Sequence, residues 1–105
     1  MLIELRNELN ELKKYYDDGI MLSMKESICG SILCEEILAQ LDIIEQKNDS
    51  DENKITQLND YVNNKNESMK DLEPYEPLIS ASGYSALVLS EMLKIIKKYS
   101  INKTK

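Results

Sequence analysis

Histidine, tryptophan and phenylalanine are missing from this sequence, and cysteine and proline occur twice each, glycine three times. Without histidine there is no Ser-His or Cys-His pair to activate a nucleophile, and no imidazole to ligate a metal. Cys29 and Cys34 are five residues apart on an expected helix, which turns their side chains roughly 140° from each other at 100° per residue. An intrahelical disulfide is then geometrically poor, and two thiols alone do not complete a four-ligand zinc site. Buried free thiols are expected, and no cation cluster stands nearby in sequence to make either of them reactive. The scarcity of glycine removes the phosphate-cradling loop between strand and helix and the glycine-bounded nucleophile elbow. Aromatic residues number six, all tyrosine, too few for a platform that stacks single-stranded bases.

Long apolar runs are lacking as well. Pro77 to Ser90 is the longest uncharged segment, 14 residues with four serines, too short and too polar for a bilayer. Glu4, Arg6, Glu8, Glu11, Lys13 and Lys14 interrupt the leucines of the first twenty residues, so no secretory signal is expected and a cytoplasmic location is.

Acid, by contrast, is abundant. Residues 35–76 hold twelve carboxylates against four lysines, net minus eight, whereas residues 94–105 hold five lysines and no acid. The remaining body, residues 1–93, sums to minus eleven and repels phosphate, which argues against direct binding of nucleic acid. Lys94, Lys97 and Lys98 fall near an expected helix C-terminus, where cations complement the dipole. The segment from Asp49 to Asp60 begins like a calcium loop, but its sixth position is Lys54 rather than glycine and its twelfth is Asp60 rather than a bidentate glutamate. No metal and no cofactor is expected. Adjacent pairs such as Glu35 and Glu36 diverge by about 100° on a helix and do not share a proton, so an acidic catalytic dyad is not expected either. Glu36, beside Ile32 and Leu33, is the one carboxylate for which partial burial and a raised pKa come into question.

The apolar pattern predicts an all-α fold, a compact bundle of four helices at about 2–18, 24–46, 51–73 and 78–99. Residues 1–105 form one helical domain in this reading, with 100–105 a mobile basic tail. Leu2, Leu5, Leu9, Leu12 and Tyr16 line one face of the first helix, which Gly19 ends. Ser23 and Glu26 fit a capping box at the second, and Asp49 with Glu52 repeats that spacing before the third. The second helix is apolar over more than half its circumference and is expected to be the most enclosed. Its strip of small residues, Ser23, Ser27, Gly30, Ser31 and Cys34, pairs in this reading with Ser82, Gly83, Ala86 and Ser90 of the fourth. Ile55, Leu58, Val62, Lys65, Met69 and Leu72 keep heptad spacing in the third helix, but its asparagines lower helix propensity and mark it as the least stable.

With no catalytic chemistry in view, an acidic helical surface suits a cationic protein partner. Asp49, Asp51, Glu52, Asp60 and Glu67 are the candidate steering charges, with Tyr61 and Tyr75 as candidate anchors. The expected function is a small inhibitory binder, an immunity protein, antitoxin or phage-type inhibitor, and not an enzyme. Its partner is then a basic protein such as a nuclease toxin, whose positive groove the acidic surface covers. The chain is similar in general character to small acidic helical immunity proteins, with no motif behind the likeness. A non-catalytic adaptor or homodimer, pairing through the heptad stripe of the third helix or the open face of the first, is the alternative.

Overall fold

The structure, a computed structural model, describes the backbone of residues 2–70 and 78–101 and the side chains of residues 2–68 and 86–100. Four helices follow one another: α1 (Leu2–Asp18), α2 (Met24–Glu45), α3 (Asp51–Lys70) and α4 (Leu78–Ile101). The architecture is the four-helix bundle that the spacing predicts, and the described residues contain no strand. α4 continues through Ser100 and Ile101, beyond its expected end, while residues 71–73 of the expected third helix and residues 102–105 of the tail lie outside the described residues.

Local chemistry sets the ends. Gly19 takes φ 56°, the left-handed conformation that stops α1. Ser23 caps α2 by accepting the Glu26 amide at 3.2 Å, and its hydroxyl meets the Glu26 carboxylate at 3.4 Å. Leu5, Leu9, Ile37, Leu41, Leu58 and Ile96 meet in one core with no more than 1% exposure, so each stripe read from the sequence supplies part of one interior.

α2 and α4 each pack against all three other helices. α2 is thus as enclosed as any helix of the bundle, in line with its broad apolar circumference, but part of that circumference stays open. It is not enclosed on every side: Met24, Ile28, Ile32 and Ile43 are 78, 52, 59 and 54% exposed, because three neighbours cover only part of a helix that is apolar almost all round. At Ser27, Gly30 and Ser31 its small strip receives α1, where α4 was expected. The Tyr16 ring lies against Gly30, where any Cβ would overlap the ring, and the Ser27 hydroxyl donates to the Tyr16 carbonyl at 2.6 Å. Ser31 donates to Asp17 on the same seam. Ser82 and Gly83 have side-chain positions outside the described residues, and Ser90 is exposed.

Candidate protein-docking surface

The α2–α3 turn is organised by Asp49. One carboxylate oxygen accepts the Ser50 amide at 2.9 Å and the Asn53 side chain at 2.7 Å, and the other accepts Gln57 at 3.1 Å. The Asn53 side chain, the Ser50 amide and Gln57, with the Lys54 charge nearby, hold this carboxyl below its ordinary pKa. The helix cap itself is Ser50, whose hydroxyl accepts the Asn53 amide at 3.1 Å. The expected box of Asp49 with Glu52 is therefore displaced by one residue. Asp49 is spent on building the turn, while Asp51 and Glu52 project from the first turn of α3, where negative charge suits the helix dipole.

Asp60 and Tyr61 line an open groove of about 290 Å³ between α2 and α3 with Gln40, Ile44, Lys47, Gln57 and Asn64. Asp60 is exposed. Tyr61 is half-buried, packs against the core, and donates its hydroxyl to Glu36 at 2.8 Å. Lys65, the lysine that intrudes on the heptad stripe, reaches the same Glu36 oxygen at 2.8 Å. Burial alone pushes the Glu36 pKa up, but the hydrogen bonds from Lys65 and Tyr61 together bring it below the ordinary value. The raised pKa considered for Glu36 is thus reversed by a lysine that enters from another helix. Glu67 is exposed on α3, and Tyr75 lies outside the described residues.

The acidic stretch does not form one uninterrupted anionic face. Arg6 reaches across from α1 to both Asp42 and Glu45, and Lys65 neutralises Glu36. Among the described residues no cation pairs with Asp51, Glu52 or Asp60. The structure thus brings Asp49, Asp51, Glu52 and Asp60 to the turn and the first half of α3, and ties Tyr61 inward beside them.

Sequence reasoning missed two apolar features. One is the solvent-facing stripe of α2, signalled by Met24, Ile28 and Ile32 at four-residue steps. The other is a groove of about 280 Å³ where Leu12, Tyr15 and Tyr16 of α1 meet Leu22 of the following turn, Glu26 of α2, and Leu87 and Glu91 of α4. Tyr15 and Tyr16 stand edge to face with centroids 5.1 Å apart.

Reactive groups are scarce. Cys34 is buried and Cys29 half-buried, both free, and burial pushes the Cys34 thiol up to about 12, where it is no nucleophile at neutral pH. Among the described residues no three His, Cys, Asp or Glu side chains converge as a metal site, and no helix is long and apolar enough to cross a membrane. Comparison with protein-family models, curated proteins and solved structures finds no match to this chain.

Proposed function

We propose that this chain is a non-catalytic inhibitory binder, of the immunity-protein, antitoxin or phage-inhibitor kind, that docks a basic protein and covers its positively charged groove. The observation that carries the reading is the exposed set Asp51, Glu52 and Asp60, which form no ion pair among the described residues, beside acids that the chain's own cations neutralise. Uncompensated charge on a rigid helix raises the rate of encounter with a cationic surface, and apolar contacts then slow release. A nuclease-type enzyme is the fitting class, because its phosphate-holding groove is positive.

The test is a combined reversal, Asp51→Lys, Glu52→Lys and Asp60→Lys, leaving Asp49 in place to hold the turn. Association with the basic partner slows by about tenfold or more at low salt. Helix content and melting temperature stay close to the parent's. An unchanged on-rate at low ionic strength removes the reading.

The exposed Ile28 and Ile32 favour a second reading, an adaptor that pairs with its own copy through α2. Light scattering separates the two: a dimer that Ile28→Lys and Ile32→Lys dissociate supports the adaptor, whereas a monomer with unaltered scattering in those variants removes it.

A further inference from the structure

We infer that the groove between the C-terminal part of α1, the start of α2 and α4 is an anchor pocket for one arginine side chain of the basic partner. The inference rests on the proposed docking function but places its anchor away from Asp51, Glu52 and Asp60.

The groove combines two surfaces that a guanidinium on an aliphatic stem needs together. Leu12, Leu22 and Leu87 supply apolar walls, Leu87 being 56% exposed and Leu12 and Leu22 half-buried. Tyr15, 53% exposed, offers a ring for a flat cation to stack on. At the rim stand Glu26 from α2 and Glu91 from α4, each half-buried. Among the described residues neither is locked in place by a strong internal partner: Glu26 meets the Ser23 hydroxyl at 3.4 Å, and Glu91 meets Lys94 of its own helix at 3.3 Å, with that lysine 72% exposed. Such a surface pair holds weakly and yields to a better donor.

Charge then decides the occupant. An anion is repelled by both carboxylates, and a neutral apolar group would cover them without compensating their lost hydration. A cation with an apolar stem satisfies walls and rim at once. Arginine fits better than lysine, since its planar fork presents donors in two directions, towards carboxylates on different helices, while its face stacks on tyrosine.

The test is a methyl and amide NMR titration of the full chain with three capped dipeptides: acetyl-leucyl-arginine amide, its neutral isostere carrying citrulline, and the lysine analogue. Saturable shifts at Leu12, Leu22 and Leu87 with the arginine probe are expected, weakened at least tenfold with citrulline and severalfold with lysine. Glu26→Gln with Glu91→Gln weakens the arginine probe at least tenfold, and the wild-type comparison of arginine with citrulline stands whatever that variant's stability. Equal binding of citrulline, tighter binding of lysine, or arginine shifts confined to Asp51, Glu52 and Asp60 overturns the pocket. The two proposals fail separately. A silent groove with charge-sensitive association removes the pocket alone, whereas a responsive groove with association indifferent to the α3 charges removes the docking reading alone.

Discussion

The two helical hairpins of this bundle solve the same packing problem unequally. Between α1 and α2 polar groups at the seam are paired: Ser27 with the Tyr16 carbonyl and Ser31 with Asp17 beside a ring seated on a glycine, and Arg6 with Asp42 and Glu45 toward the other end. The α3–α4 hairpin has an equally dry core in Ile55, Leu58, Val62, Val88, Leu89 and Met92, but the side-chain oxygens of Asn59 and Asn66 are buried on α3 with no hydrogen-bond partner among the described residues. One seam is specific because shape and polarity agree there. The other is held by apolar burial against a polar cost, so a helix that keeps its heptad stripe still has stability to gain.

Breaking the better seam has the largest effect. Gly30→Leu forces its side chain into the space of the Tyr16 ring and costs about 3 kcal/mol, measured as a lowered urea midpoint. Adding Tyr16→Ala opens that space and recovers part of the loss, a non-additivity that a double-mutant cycle reads directly.

Repairing the weaker seam comes next. Asn59→Leu and Asn66→Leu each remove an orphaned oxygen and raise stability by about 1 kcal/mol, seen as a higher urea midpoint at unchanged slope. If neither does, the two seams are not unequal for the reason given.

A smaller effect concerns the ties between hairpins, Glu8 to Lys98 and Tyr99, and Glu36 to Lys65 and Tyr61. Both carboxyls have folded-state pKa values below the ordinary 4.5, Glu8 chiefly through its hydrogen bonds with Lys98 and Tyr99 and Glu36 against the effect of its own burial. Their contribution is present above the unfolded value and is lost as pH falls from about 4.5 through the folded values. Glu8→Gln and Glu36→Gln therefore lower stability at pH 7 by about 0.5 kcal/mol apiece and flatten the acid limb of a melting-temperature profile. Least of all, Ile28→Lys and Ile32→Lys change the stability of the monomer by under about 0.5 kcal/mol, because those side chains already face water.

Much of the fold was legible because its signals are local. Leucine spacing, Gly19 and the Ser23 cap each depend on residues within a few positions of one another, and the helix boundaries follow from them. What misled the reading was mostly a matter of which distant group arrives. Small residues at Ser27, Gly30 and Ser31 announce a close approach, but they do not say that Tyr16 makes it. An apolar circumference on α2 does not reveal how many neighbours exist to cover it. Asp49 and Ser50 both stand three residues before a plausible capping partner, and only the backbone geometry selects Ser50. At the candidate site, Asp51, Glu52 and Asp60 were identifiable as surface acids, whereas Tyr61 owes its inward tie to Glu36 on another helix. The groove beside Tyr15 draws on three helices and had no contiguous signal at all.

The most direct measurement of the central claim is quantitative capture from the native host's extract at low salt, with the parent chain and the Asp51→Lys, Glu52→Lys, Asp60→Lys chain as parallel baits. The account predicts one dominant basic protein retained by the parent, lost from the reversed bait, and released as salt is raised. Retention of the same protein on both baits, or an acidic protein as the dominant partner, contradicts it.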